Sequence, residues 1–353
     1  MALKTKLLIL AAVLLAATAG LILLGGLGEA GKASDLTAGF NAEFIQRPDG
    51  YPGLAKAYGL HFARPPRQMD SGLMYKACAQ GAVDVICGFA TDGRIAAYDL
   101  KPLLDDRKFF PPYYAAPLVR RQTLRKHPEL GRALARLAGR IDDRTMRELN
   151  LQVDREADPR GPAAVARDFL VSAGLIAADA RASDGADGTV RVGGKDFTEQ
   201  SILGQMLAIL VECSTRLRVE RKLYLGGTMI CFNALKAGDL DVYVEYTGTG
   251  LVNILQRPPV SDPDAAYATV KAEFDKRFGL VWLAPLGFNN TYTLTMRREQ
   301  AERLGLRTIS DLAARLGRLG LIAPPVGGRL GVALARRGLR PQPNWRSPIL
   351  DLQ

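Results

Sequence analysis

Apolar and polar positions alternate at Thr189-Val-Arg-Val-Gly-Gly, the period of a half-buried strand, and the glycines end it. A helical period follows, with Ile202, Leu203, Met206, Leu207 and Leu210 on one face. Asp196 or Thr198 stands where an N-cap is wanted, and Asp196 with Glu199 three residues on has capping-box spacing. Strand, tight turn and helix in this order begin an α/β unit. The same signals predict helices over 264–277 and 298–304 and, earlier in the chain, over 128–138, 143–150 and 162–173, the last two opened by an Asp or a Pro.

The stretch 177–189 (AADARASDGADGT) is small, polar and glycine-containing, and reads as a linker. It separates a half covering 34–176 from a half covering 190–320, with an Arg/Pro/Gly-rich tail over 321–353. The halves share an internal echo. Ala77-x-x-x-Gly81-x-x-Asp84-Val85 recurs as Ala234-x-x-x-Gly238-x-x-Asp241-Val242, at a constant offset of 157 residues. Five residues after each Asp stands an aromatic, Phe89 or Tyr246, soon followed by Thr and Gly. Physically this is helix, glycine turn, strand, and a ring at the strand's C-terminal end, where open α/β sheets bind ligands. Two similar lobes facing each other, each contributing a ring, is one reading; a chance likeness of two α/β units is the other.

At 353 residues the chain suits two lobes rather than one small core, and 48% hydrophobic with 24% charged residues is the ordinary globular mix. The net charge of +11 invites a nucleic-acid reading, but its placement argues against one. Seven arginines (Arg315, Arg318, Arg329, Arg336, Arg337, Arg340, Arg346) against the single acid Asp351 fall after Asp311, and Lys4 and Lys6 precede an uncharged apolar run from Leu7 to Gly28. A terminal excess without aromatic interleaving is not a nucleic-acid face. The basic start and apolar run over 1–33 predict an export signal or membrane anchor, with cleavage best placed after Ala33. The remainder is then periplasmic or otherwise extracytoplasmic. Four cysteines (Cys78, Cys87, Cys213, Cys231) form no C-x-x-C pair, and with only His61 and His127 no zinc spacing exists. Buried small hydrophobes is the plain reading of these thiols. No nucleophile elbow, phosphate loop or carboxylate pair points to an enzyme, and no cofactor or metal is expected.

What remains are rings and amides in predicted strand ends and loops: Phe89, Tyr113, Tyr114, Gln200, Tyr246, Thr249, Asn289, Asn290 and Tyr292. Aromatic faces attract a quaternary ammonium, worth about 0.5–2 kcal/mol per desolvated ring. Such a cation has no N–H, so rings suit it better than a carboxylate acceptor.

The stretches Val190-Arg-Val-Gly-Gly-Lys-Asp-Phe-Thr-Glu-Gln200, Leu225-Gly-Gly-Thr228, Ala234-Leu-Lys-Ala-Gly-Asp-Leu-Asp-Val-Tyr-Val-Glu-Tyr-Thr-Gly-Thr249 and Asn289-Asn-Thr-Tyr292 resemble the substrate-binding proteins of glycine betaine/choline ABC transporters. So do Glu43-Phe44 with Arg47-Pro-Asp-Gly-Tyr51, Ala90-Thr-Asp-Gly-Arg94, and Asp105-Asp-Arg-Lys-Phe-Phe-Pro-Pro-Tyr113. The resemblance implies a two-lobed α/β periplasmic-binding-protein fold of type II that closes on its ligand like a flytrap. It implies a ring box of Tyr246, Tyr292, Tyr113 and Phe89, the last standing where many members have Tyr. Thr249, Asn290 and Gln200 would be polar contacts, and the partners would be a quaternary amine, an ABC permease and its ATPase. The segment order departs from the family: here its last part precedes its first, so the chain reads as a circular permutant. Ser34-Asp35-Leu36 near the start also echoes Ser310-Asp311-Leu312 near the end. A slice through tandem domains, a rearranged remnant, or a ligand sensor without transport are the alternatives.

Overall fold

The computed structural model describes residues 36–320. The apolar leader, Ser34 and Asp35, and the 321–353 tail lie outside the described residues. The strands in the first part of the chain are β1 (Ala38–Phe40), β2 (Arg67–Gln68), β3 (Val85–Phe89), β4 (Leu100–Leu103) and β5 (Ala115–Arg120). The rest are β6 (Thr189–Gly193), β7 (Arg218–Lys222), β8 (Val242–Tyr246), β9 (Leu280–Trp282) and β10 (Tyr292–Arg297). They form two five-stranded sheets, ordered β2-β1-β3-β10-β4 and β7-β6-β8-β5-β9. The two orders are the same pattern, with β6, β7, β8, β5 and β9 in the places of β1, β2, β3, β10 and β4.

Each sheet is completed by a strand that arrives from the other lobe. β10 runs antiparallel between β3 and β4, and β5 antiparallel between β8 and β9, whereas β1 is parallel to β2 and β3, and β6 to β7 and β8. The chain therefore crosses between lobes after β4 and again after β9. At the crossings Asn290 N–H donates to the Tyr113 carbonyl (3.1 Å), and Tyr113 N–H donates to Asn289 Oδ1 (2.7 Å). The two connections are thus tied to one another.

The predicted helices form with small boundary shifts: Pro128–Ala135, Asp143–Asp154, Pro162–Ser172, Pro263–Phe278 and Arg298–Arg303. Their starts carry the expected chemistry. Asp142 accepts from Thr145 N–H, Asp262 accepts from Asp264 and Ala265 N–H, and Pro128, Pro162 and Pro263 occupy first-turn positions. Two expectations for the helix Thr198–Ser214 are corrected. Phe197 is its N-cap residue and no side chain caps it; the Thr198 hydroxyl donates instead to Asp154 Oδ1 (2.6 Å), and the Glu199 carboxylate is held by four other donors. Nor is it amphipathic. Glu199–Gly204 and Met206–Val211 are all buried, because sheet strands and the three helices of 128–172 surround it.

The repeated stretch has one structure in both lobes. A helix ends at a left-handed glycine, Gly81 (φ 77°) or Gly238 (φ 90°), and a buried strand follows. The Asp between them does the same work twice. Asp84 Oδ2 accepts from Thr37 N–H (2.9 Å) and Asp84 Oδ1 from Arg297 (2.9 Å); Asp241 Oδ2 accepts from Arg191 N–H (2.9 Å) and Oδ1 from the Thr123 hydroxyl (2.7 Å). Cys78, Cys87 and Cys231 pack as buried apolar residues and Cys213 is half-buried. Among the described residues no helix is long and apolar enough to cross a membrane, and no group of three or more His, Cys, Asp or Glu could hold a metal ion.

Burial tends to raise the Asp84 and Asp241 carboxyls, but backbone and side-chain donors outweigh it and both lie below the usual value. A depressed carboxyl stabilises the fold above its unfolded pKa of about 4, and that contribution is lost as pH falls through the folded value. Asp241→Ala is expected to cost about 1–3 kcal/mol at pH 7 and less in acid. Urea unfolding at pH 7 and at about pH 3 measures both, and an equal cost at the two pH values contradicts the assignment.

Candidate functional site

The strand ends converge on a cleft of about 450 Å³ between the lobes. From the first lobe come Phe89 at the end of β3, Tyr292 at the start of β10, and Glu43 and Arg47 from the helix after β1. The second lobe supplies Lys195 and Phe197 after β6, Tyr246 at the end of β8, Gly227 and Thr249. Tyr113 and Asn290 enter from the two crossings.

Register explains the convergence. Tyr292 pairs with Phe89 across β10 and β3, and Ala115 pairs with Tyr246 across β5 and β8, which brings Tyr113 in two residues earlier. The rings touch in a chain. Tyr246 and Phe197 stack at 6.4 Å and 26°, Phe197 and Phe89 at 5.6 Å and 7°, Phe89 and Tyr292 lie 5.4 Å apart, and Tyr292 meets Tyr113 edge-on at 5.5 Å and 88°.

Of the seven residues that the resemblance assigns to the ligand box, Phe89, Tyr113, Tyr246, Thr249, Asn290 and Tyr292 line the cleft, and Gln200 does not. The Gln200 amide stands behind the ring. It donates to Tyr246 Oη (3.1 Å) and to the Val244 carbonyl (2.9 Å), and its oxygen accepts from Lys195 N–H (3.2 Å). Its donors and acceptor are spent on fixing Tyr246 and the Lys195 backbone.

Sequence reasoning missed Glu43, Arg47, Lys195 and Phe197 as site residues. All four lie inside the motifs that carry the family resemblance. Arg47 is 4% exposed and grips Asp49 with both ends of its guanidinium (2.9 and 2.7 Å). Its Nη1 donates to Thr249 Oγ1 in the opposite lobe (3.2 Å). The Asp49 carboxylate also accepts from the Tyr113 hydroxyl (2.6 Å). Lys195 Nζ donates to Glu245 (2.7 Å) and Thr228 Oγ1 (2.9 Å) and lies 5.2 Å from the Tyr246 ring centre. Arg47 lies 5.6 Å from the Tyr292 ring centre. Two rings of the box therefore already face cations.

Glu43 spans the cleft. Its carboxylate accepts from the backbone N–H (2.5 Å) and hydroxyl (3.1 Å) of Thr228, at the start of the helix Thr228–Ala237 in the other lobe. Burial pushes its carboxyl up, but Lys195, Arg47 and the Thr228 donors overcome this and hold it below its usual value. Arg47 to Thr249 and the Thr91 hydroxyl to Glu199 (2.5 Å) also join the lobes.

Two α/β lobes, two crossings and a ring-lined cleft between them define a clamp of the periplasmic-binding-protein type II class. A family model, the substrate binding domain of the ABC-type glycine betaine transport system, matches residues 26–172 and 188–327, and the chain belongs to this family. It is a transport-binding family, not an enzymatic one. The carnitine transport binding protein of Listeria monocytogenes is 42% identical over 138 residues, which is 39% of this chain and 44% of that protein. The glycine-betaine-binding protein of Pseudomonas aeruginosa is 41% identical over 143 residues, 40% of this chain and 45% of that protein. The matched stretch thus spans less than half of each relative. A crystal structure of a glycine betaine/carnitine/choline ABC transporter is 39% identical, covering 40% of this chain and 50% of its own, with a TM-score of 0.31.

Lys195 and Glu245 are 5% and 0% exposed, so each is the other's buried counter-ion. Glu245→Ala is expected to destabilise the protein by about 3–5 kcal/mol, because it removes the carboxylate bonded to the buried Lys195 ammonium. Lys195→Met together with Glu245→Leu should recover most of that loss. Denaturant midpoints measure both; a double variant as unstable as the single one contradicts the pairing.

Proposed function

We propose that this protein is the solute receptor of an ABC importer and captures a zwitterionic quaternary amine, glycine betaine or carnitine ahead of choline. One observation carries the reading: a chain of rings and two buried cations share a single cleft. The rings of Tyr246, Phe197, Phe89, Tyr292 and Tyr113 suit the trimethylammonium end. Arg47, Lys195, Thr249 and Asn290 line the same cleft and suit a carboxylate. The relatives point the same way, since one is named for carnitine and another for glycine betaine. Gln200 acts through Tyr246 rather than on the ligand. Closure stabilised by the ligand is the state a membrane permease with its ATPase subunit would receive, by population shift. The leader over 1–33 would place the receptor outside the cytoplasmic membrane, cleaved or as its anchor.

The halves, on this reading, stand in circularly permuted order. Two observations support it. The family model matches two stretches separated at 173–187, where the chain runs from the helix Pro162–Ser172 to β6 without helix or strand. Leu36 belongs to the same apolar cluster as Leu312 and Leu316, near the two ends of the described chain.

Calorimetric titration of residues 34–353 with glycine betaine should give a micromolar-class dissociation constant. Tyr246→Ala should weaken it by about 2 kcal/mol, roughly thirtyfold. Folded protein that gives no heat with glycine betaine, carnitine or choline removes the reading. A gene rearranged so that 190–320 precedes 34–176 should yield a protein of similar thermal midpoint and affinity. A rearranged product that does not fold, beside a natural order that does, rejects the permutation.

A further inference from the structure

We propose that Glu199 is a positioning residue of the receptor: its buried carboxylate fixes Tyr246 and Asn290 for the ligand, fully so only when Thr91 arrives from the opposite lobe. This rests on the quaternary-amine reading of the cleft. Glu199 is 3% exposed and is not among the residues lining the cleft. Its Oε1 accepts from the Tyr246 hydroxyl (2.7 Å) and Asn290 Nδ2 (2.9 Å), both of which belong to residues that do line it. Its Oε2 accepts from the Thr91 hydroxyl (2.5 Å) and Asn150 Nδ2 (3.2 Å). A carboxylate offers about four acceptor sites, and here all are used.

All four donors are neutral, so the charge is held in place without a bonded cation. It sits one hydroxyl behind the Tyr246 ring. A phenol that donates to a carboxylate carries more electron density in its ring, and the face that meets an ammonium becomes more attractive. Gln200 Nε2 donates to the same phenol oxygen, which leaves the phenol proton to Glu199. The Asn290 amide is fixed in the same way: its nitrogen donates to Glu199 and its oxygen accepts from Thr91 N–H (3.4 Å). Thr91 follows β3 in the first lobe, and its carbonyl also accepts from Asn150 Nδ2 (2.9 Å). Opening the clamp withdraws Thr91 and gives Oε2 to water, so ring tuning and closure are linked.

Burial pushes the Glu199 carboxyl above its usual value against the pull of its donors. A cation on the Tyr246 face favours the ionised form. Affinity is then full above the unliganded pKa of Glu199 and falls as pH drops through it, with a proton released on binding in that window. The titratable or charged groups around it are Tyr246 from β8, with Lys195 and its partner Glu245 beside that ring, Asp92 from the loop after β3, Arg94 at the start of the short helix Arg94–Ala97, and Asp154 from the helix Asp143–Asp154. Asp154 is also raised by burial, so it needs its own control.

The test titrates the purified full chain with tetramethylammonium, which has no titrating group, and with glycine betaine, from about pH 7 to about pH 4. Wild type should lose affinity for both toward acid. Glu199→Gln should bind each about tenfold or more weakly at pH 7 and lose the pH dependence; Asp154→Asn should keep it. Thr91→Val, which spares the carboxylate, should weaken binding a few-fold and keep the slope. Without ligand, acidification should shift the tyrosine ultraviolet band more in wild type than in Glu199→Gln or Tyr246→Phe, both of which keep the other tyrosine–carboxylate bonds such as Tyr113 to Asp49. If Glu199→Gln does not fold, Thr91→Val and the band of wild type against Tyr246→Phe carry the test. Unchanged affinity and slope in Glu199→Gln, or no larger tyrosine shift in wild type, overturns the proposal. A wild type that binds neither ligand yet shows the Glu199-dependent shift refutes the quaternary-amine reading and leaves the Glu199–Tyr246 coupling standing.

Discussion

The cleft depends on where two strands enter. In each lobe the central strand, β3 or β8, is flanked by an antiparallel strand that has just crossed from the other lobe. An antiparallel neighbour begins where the central strand ends. The last ring of the central strand and the first residues of the arriving one must then meet at the same edge of the sheet. Because both arrivals come from the crossings, both edges lie where the lobes face one another. Phe89 with Tyr292, and Tyr246 with Tyr113, follow from this register. The site needs no special loop to build it, since ordinary ladder hydrogen bonds place four rings from stretches up to about 200 residues apart in the chain.

Charge adds what the ladders cannot. Two cations, Arg47 and Lys195, stand in the same cleft as the rings, and each is expensive to bury. Both are neutralised locally, Arg47 by Asp49 and Lys195 by Glu245, so the cleft presents cations without an unpaired charge in its walls. Glu43 is different, because its shorter hydrogen bonds come from Thr228 on the far lobe, with Arg47 of its own lobe at 3.5 Å. Its hydrogen bonds are complete only while the lobes are together. The closed arrangement is thereby stabilised by polar groups that water would otherwise satisfy, a modest bias that a ligand can add to or oppose.

Much of this was legible in the sequence, and the reasons differ by element. Helices with an Asp or Pro start, such as Asp143–Asp154 and Pro263–Phe278, were readable because their caps are local. The repeat of Ala77–Phe89 in Ala234–Tyr246 disclosed two equivalent lobes, because the left-handed glycine and the buried Asp are needed at both places. The helix Thr198–Ser214 was misread as one-faced, since its apolar period could not reveal that helices from the preceding half cover its other side. Gln200 and Glu199 look alike in sequence, as polar residues at a helix start. Only the three-dimensional arrangement separates them from the residues that line the cleft, because both act through the Tyr246 hydroxyl. Arg47 and Lys195 were hidden for a related reason. A buried cation is recognisable only once its counter-ion is seen.

The equivalent rings of the two lobes are held in unlike ways, and this asymmetry gives the box a sense of direction. Tyr246 is anchored at its hydroxyl by Glu199 and Gln200, and its ring is stacked on Phe197. Phe89, at the same place in the other lobe, has no hydroxyl to anchor and is fixed by apolar contact alone, between Phe197 and Tyr292. The first lobe therefore contributes packing and the second contributes an electrostatically set ring. Each lobe also sets a cation over a ring, Lys195 over Tyr246 and Arg47 over Tyr292. Two lobes with one strand order thus produce a cleft whose two walls differ electrostatically, because a buried carboxylate stands behind the Tyr246 hydroxyl.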